Sequence, residues 1–324
     1  AIVCSEGIYR WLYAGLSDMD YGTWPIRSVL PSERDILPDF DLLKIHPKNI
    51  GTGMGYNPAA FFGRDSEAMA PFYSDPAERL APDAYYQYLA ATIAHGHSPI
   101  LGYSYFPPMH RMIHYYAMLQ GPAQEWLTDT VARIERHDGE RFLSTGETIR
   151  SDALGTGRIR ITYEHGMVVC VNYHHEQPWE VAVGGKTYLL PPMGWVAVKG
   201  DEIESFSALL DGRRVDYARC RDYTYLSSPE GESSYGGITV DGAVYLLRDG
   251  EALRVIPCGQ LGKWQSGIGR FGYDREIVEI PADRGTPVLR IDLREVAPVV
   301  AGTVPGGVLD VQPNAATVDY LLAP

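Results

Sequence analysis

The hydrophobic period of this 324-residue chain changes near Gly155, and that change limits the folds open to it. Beyond it Ile159, Ile161 and Tyr163 alternate with Arg160, Thr162 and Glu164, the period of two expected of a strand with one buried face. His165-Gly166 then leads into the apolar run 167–173, which reads as the return strand of a hairpin. Turn pairs at Gly184-Gly185, Asp211-Gly212, Asp241-Gly242 and Asp249-Gly250 separate further short apolar runs, so this part is expected to be antiparallel sheet arranged in β-sandwiches. The stretch Ser227-Ser228-Pro229-Glu230-Gly231 is a soft boundary, giving β modules at 151–226 and 227–324.

Residues 1–150 carry a different pattern. Strand-like runs at 1–5, 41–46 and 99–105 alternate with helical ones, which is β/α patterning. Asp83 suits the N-cap of a helix over 84–95 with Gly96 as its stop, and a second helix over 109–120 is expected to end at Gly121-Pro122. The fold class expected is therefore α/β followed by all-β.

A net charge of −13 without a dense basic run excludes nucleic acid, whose phosphates must be neutralised by clustered Lys and Arg. No run reaches the length of a membrane span. The chain does not begin with Met and starts inside a strand-like run, so it reads as a fragment or a processed product. The 22 tyrosines and 6 tryptophans suit core packing and also sugar binding, because such rings stack on sugar faces while their polar tips bond hydroxyls. Cys4, Cys170, Cys220 and Cys258 show no paired spacing, which points to buried free thiols. The histidine pairs His95/His97, His110/His114 and His174/His175 lack a third ligand and the Glu of HExxH, so no metal and no cofactor is expected. There is no GxSxG elbow for a serine hydrolase.

Glu6 is the leading catalytic candidate. It closes the apolar run 1–5 and precedes Gly7 and the ring-rich segment 8–13, and strand ends of this kind carry the chemistry of α/β barrels. Tyr9, Trp11 and Tyr13 provide apolar surroundings of the sort that raise a general acid toward neutral pKa; the plainer alternative is a helix cap or a pair with Arg10. Asp18 and Asp20 fall in the following loop, either as sugar ligands or as solvated turn residues. Lys44 and His46 alternate on the second strand and share one side, toward substrate or, for Lys44, toward Glu6 or Asp20. The glycine-rich segment 49–57, with Tyr56 and Asn57, fails the context of a dinucleotide fingerprint and reads as a site loop. Tyr103 sits on the third run, so a sugar is expected near Glu6, Asp20, Lys44, His46, Tyr56 and Tyr103.

The segments Val169-Cys170-Val171-Asn172-Tyr173, Trp179-Glu180-Val181, Tyr188-Leu189-Leu190-Pro191-Pro192-Met193-Gly194-Trp195, Phe206-Ser207-Ala208 and Asp211-Gly212-Arg213 carry a resemblance. Over residues 1–225 the chain resembles glycoside hydrolases with a (β/α)₈ barrel and C-terminal sandwich domains, of the α-galactosidase and endo-α-N-acetylgalactosaminidase kind. The resemblance implies that residues 1–150 form the last strands of such a barrel and that the chain is a portion of a hydrolase of O-glycosidic bonds, with α-linked sugars as the implied substrates. It also implies that Glu6 is the acid/base and that the nucleophile lies upstream of Ala1. Only about three of the eight strands are accounted for, so either a partner fragment supplies the rest of the barrel or the chain is catalytically inert. The rival expectation is a non-catalytic carbohydrate-binding or structural β module.

Overall fold

The computed structural model describes residues 4–6, 19–21, 82–96, 109–249 and 252–258, together with short strands between 264 and 322. They fall into two units, Ala1–Ala208 and Leu209–Pro324.

In the first unit β1 (Cys4–Glu6) and β2 (Met19–Tyr21) pair in parallel. Two helices follow, α1 (Pro82–Ala94) and α2 (Met109–Trp126). The chain then enters β3 (Val131–His137), β4 (Phe142–Ser144), a short α3 (Thr145–Arg150), β5 (Arg158–Tyr163) and β6 (Val168–Asn172). The strands β7 (Trp179–Val183) and β8 (Lys186–Leu190) form a separate hairpin, and β9 (Gly194–Lys199) and β10 (Ile203–Leu210) return to the main sheet. That sheet is antiparallel throughout, ordered β10-β9-β6-β5-β3-β4.

The expected partial (β/α)₈ barrel is not what forms. The described residues are 52% strand and 22% helix with only three α-helices, a mostly antiparallel β architecture. The reason lies in what the helices touch. Instead of crossing over between parallel strands, α1 and α2 lie on one face of the antiparallel sheet: Gln87 Nε2 donates to Tyr173 Oη at 3.1 Å, Ser205 Oγ donates to Met118 O at 3.0 Å, and Lys199 Nζ pairs with Glu125 at 2.6 Å. The opposite face carries the β7–β8 hairpin, through Lys186 and Tyr188 on Glu204 and the Tyr188 and Phe206 rings 5.5 Å apart. The unit is thus three layers: helices, sheet and hairpin. Alternate residues of β10 serve the two sides, Ser205 the helices and Glu204 and Phe206 the hairpin. Covered on both faces, β6, β9 and β10 are buried almost continuously, whereas β5 and β7 alternate. The expected strand runs 41–46 and 99–105 lie outside the described residues.

Two helix ends also differ from expectation. Helix α1 opens at Pro82, ahead of Asp83, as suits a residue with no N–H to satisfy; it stops at Gly96, whose φ of 58° is left-handed. Helix α2 runs through Gly121-Pro122 to Trp126 instead of ending there. Proline at 122 removes the N–H that would bond the carbonyl of residue 118. The buried hydroxyl of Ser205 supplies that missing donor to Met118 O.

In the second unit β11 (Arg213–Arg219), β12 (Tyr223–Tyr235), β13 (Ile238–Asp249) and β14 (Ala252–Pro257) are paired antiparallel in chain order from β12 onward, with β11 on β12. Short strands β15 (Trp264–Gln265) and β16 (Arg270–Phe271) pair with each other. Of β17 (Ile277–Pro281), β18 (Pro287–Asp292), β19 (Val299–Thr303), β20 (Val308–Val311) and β21 (Thr317–Leu322), β21 joins β14 and β17 joins β13. The Asp241-Gly242 pair, expected as a turn, lies inside β13, and Gly242 faces Ser228 across the ladder. The register slips between Ser228 and Ser233, a bulge closed by Ser228 Oγ on Gly231 O. Residues 226 and 227 fall within β12. The β-rich character of the C-terminal part is as expected, and is consistent with a sandwich.

Ser205→Ala should destabilise the chain by about 1–3 kcal/mol, the cost of stranding a buried carbonyl. Adding Pro122→Ala restores an N–H at position 122 and should recover most of that loss. Chemical denaturation of the four members of this double-mutant cycle is the measurement, with a coupling near zero refuting the role given to Ser205.

Candidate functional site

Of the residues singled out from sequence, Glu6 is the last residue of β1, and its register partner is Tyr21. Asp20 lies in β2, paired with Ser5, and so belongs to a strand and not to the expected loop. Parallel pairing therefore brings Glu6 and Asp20 onto neighbouring strands, one register step apart. Asp18, Lys44, His46, Tyr56, Asn57 and Tyr103 lie outside the described residues.

One grouping of polar and ring side chains, partly open to solvent, was not foreseen. It occupies the hairpin side of the sheet at the β4 edge, where the β7–β8 hairpin ceases to cover it. The hydrogen-bonded registers place His137 beside Phe142 and Glu135 beside Arg160, and the alternation of β5 puts Arg158 on the same face as Arg160. The His137 and Phe142 rings meet edge-on with centroids 4.9 Å apart, and Trp179, at the start of β7, lies 5.7 and 6.1 Å from them. The Arg160 guanidinium carbon sits 3.5 Å from the Phe142 centroid. Trp179 is buried, while His137 and Phe142 remain half-buried and keep ring surface open to water.

Charge is arranged with the same economy. Arg160 donates from Nε and Nη2 to Glu135 Oε2 at 2.9 and 2.7 Å, and Arg133 Nε approaches the same oxygen at 3.4 Å. Arg158 donates from Nη2 to Gln177 Oε1 and to the Pro178 carbonyl. Two guanidiniums thus meet one carboxylate, and a third, that of Arg158, lies one row along the same face on neutral acceptors. The neighbouring Asp138 is turned away into the β3–β4 turn, where it accepts the N–H groups of Glu140 and Arg141. Gly139 N–H donates to His137 Nδ1 at 3.1 Å, which leaves the proton of a neutral ring on Nε2. Burial, then Arg158, hold the His137 pKa below the ordinary histidine value; Asp138 opposes them, and Arg160 adds a smaller lowering.

Other titratable groups have structural partners. His165 Nδ1 meets Asp129 Oδ1 at 2.6 Å, and the His165 and Thr130 N–H groups bond the same carboxylate. Burial alone would raise the Asp129 pKa, but these bonds outweigh it and hold it below the ordinary carboxylate range. The pair fastens the β5–β6 turn to the connection entering β3. His114 Nδ1 lies 2.6 Å from Tyr85 Oη, His95 Nδ1 donates to Ala91 O, and His174 Nδ1 accepts the N–H groups of Glu176 and Gln177. Among the described residues no group of three or more His, Cys, Asp or Glu is placed to hold a metal ion. Cys170, Cys220 and Cys258 are free thiols, and burial pushes Cys170 up to about 12. No described helix is long and apolar enough to cross a membrane.

Sequence reasoning reached the alternation of β5 that aligns Arg158 and Arg160, but nothing in the local pattern of Phe142 or Trp179 tied them to it. No family model, curated protein or solved structure matches the chain.

The unfolded chain binds a proton at position 137 more readily than the folded one, so stability is lost as pH falls below about 6.5 and the loss is complete below the folded pKa. His137→Gln should therefore lose less melting temperature than the parent between pH 7.5 and 5. Equal losses in thermal melts of the two proteins would remove His137 as the source.

Proposed function

We propose that this chain is carbohydrate-active and that the ring and guanidinium surface at the β4 edge binds sugar without itself breaking a bond. The observation that carries the reading is the half-exposed His137–Phe142 pair backed by Trp179 and flanked by Arg158 and Arg160. Sugars present an apolar C–H face and a rim of hydroxyls. Ring surface takes the first, and an outward Nε2–H with guanidinium donors takes the second. The resemblance of the segments 169–173, 179–181 and 188–195 to sandwich domains that accompany glycoside hydrolases points the same way.

Binding of an oligosaccharide panel to the full chain, read by saturation-transfer NMR and calorimetry, is the test. Phe142→Ala should weaken any binding by about tenfold or more, the scale of one aromatic contact, while circular dichroism stays unchanged. Binding indifferent to Phe142 would place the sugar elsewhere, and no binding by any member of the panel would refute the reading.

A second reading, hydrolysis of an α-linked O-glycosidic bond with Glu6 as acid/base, is favoured by one observation: Glu6 is the last residue of a strand paired in parallel with its neighbour, the kind of strand end from which catalytic residues are drawn. Alternation along paired strands puts Asp20 on the face opposite Glu6, so the second carboxylate that such hydrolysis needs is not Asp20 and lies upstream of Ala1 in this reading. Glu6→Gln should then sharply lower turnover of substrates with poor leaving groups, yet spare the glycosylation step on aryl glycosides with good ones, with azide rescuing the second step. Equal activity of parent and variant on both substrate types would exclude Glu6 from that role.

A further inference from the structure

The sugar-binding reading concerns neutral contacts, and the charges on the same surface say more. Along this face of β3 and β5 the residues Arg158, Arg160 and Arg133 fall on successive rows of one side of the sheet, opposite His137, Glu135 and Thr162 or its neighbours in the ladder. Only Arg160 is committed to Glu135 by two short bonds; Arg133 lies 3.4 Å away and its side chain is 64% exposed. The bonds of Arg158 go to neutral acceptors, the Gln177 amide oxygen and the Pro178 carbonyl, at 3.3 and 3.2 Å. Among the described residues no carboxylate is paired with Arg158. A guanidinium held in place by neutral groups keeps its charge and its preference for a planar anion.

We propose that this surface takes an acidic sugar, a uronic acid residue whose carboxylate is bound by Arg158 while its ring lies against Phe142 and His137. The inference rests on the sugar-binding reading above and adds the class of sugar. Arg133 contributes field, not geometry, since it stands two rows along the strand. Burial is the larger cause of the lowered His137 pKa, and the Arg158 charge adds to it across the same face. A chain with net charge −13 repels acidic glycans at long range, so the preference depends on local contact and must survive screening by salt.

The experiment compares galacturonic acid trisaccharide with neutral galactotriose by calorimetry on the full chain, at 0.15 M salt and again at 0.5 M. The acidic trisaccharide should bind about tenfold to a hundredfold tighter than the neutral one at 0.15 M, as expected for one charge-assisted pair. Most of that preference should remain at 0.5 M. Arg158→Gln should remove the preference, so that the variant binds the two trisaccharides within about twofold of each other, and Phe142→Leu should weaken both sugars alike. Because Arg158 also holds the 177–178 segment, an unchanged melting temperature and circular dichroism spectrum show that Arg158→Gln has not simply unfolded the site. Equal affinity for the two sugars, or a preference unchanged by Arg158→Gln, overturns the acidic-sugar inference and leaves sugar binding standing. Acidic binding that vanishes at 0.5 M and ignores Phe142 marks unspecific charge attraction and overturns it too. Failure of both sugars to bind refutes the underlying reading instead.

Discussion

The side-chain amide of Asn172 is the contact on which the layered unit depends. Buried at the end of β6, it donates to the carbonyls of Gln177, Leu190 and Pro191 at 2.8, 3.1 and 2.9 Å, and so ties both ends of the β7–β8 hairpin to a central strand. Its register partner is Gly194, where a Cβ would stand 2.6–2.9 Å from Pro191 and from the Ser207 carbonyl. Only glycine permits that approach, and the preceding Met193 accepts a left-handed φ of 57° to bring it about. Without this clasp the hairpin would lose its place over β9 and β10, and Glu204 would be left as a buried carboxylate with its Lys186 and Tyr188 donors gone.

The position of the candidate surface follows from the same clasp. Fixed at the β8 end and at residue 177, the hairpin begins at Trp179, whose indole lies beside His137 at the end of β3, next to the start of β5. Residues there are neither core nor free surface. Partial cover explains why rings can be exposed beside charges: Arg160 spreads its guanidinium over Phe142 and pays for its desolvation with the Glu135 bonds. Sugar binding and any preference for acidic sugar both trace to this half-covered strip.

The helix layer obeys the same logic of supplied donors. Its proline would end a free-standing helix, but a serine on the sheet completes the ladder, so α2 spans the strands it must cover. Tyr88 and Tyr115, buried with their hydroxyls 3.5 Å apart, and Tyr85 on His114 close the contact between the two helices, and burial drives the Tyr88 pKa well up. Tyr85, Tyr88 and Tyr115 are therefore internal hydrogen-bonding groups.

Period alone was enough to place the β5–β6 hairpin, the glycine turn of β7–β8 and the strand-rich character of everything after Gly155, because these depend on neighbours in sequence. The cadence of Asn172, Trp179 and Pro191-Pro192-Met193-Gly194 was also visible as a pattern, although its meaning as a clasp was not. What the sequence could not decide was which partner each element would find. Alternating strands and helices look the same whether the helices cross between parallel strands or cover one antiparallel sheet, since the difference lies in contacts such as Gln87 on Tyr173 and Ser205 on Met118, more than eighty residues apart. The surface at β4 was hidden for the same reason: Phe142, Arg158 and Trp179 become neighbours only when hydrogen-bonded register and the hairpin's fold-back set them side by side, and neither is encoded in the spacing of the residues themselves.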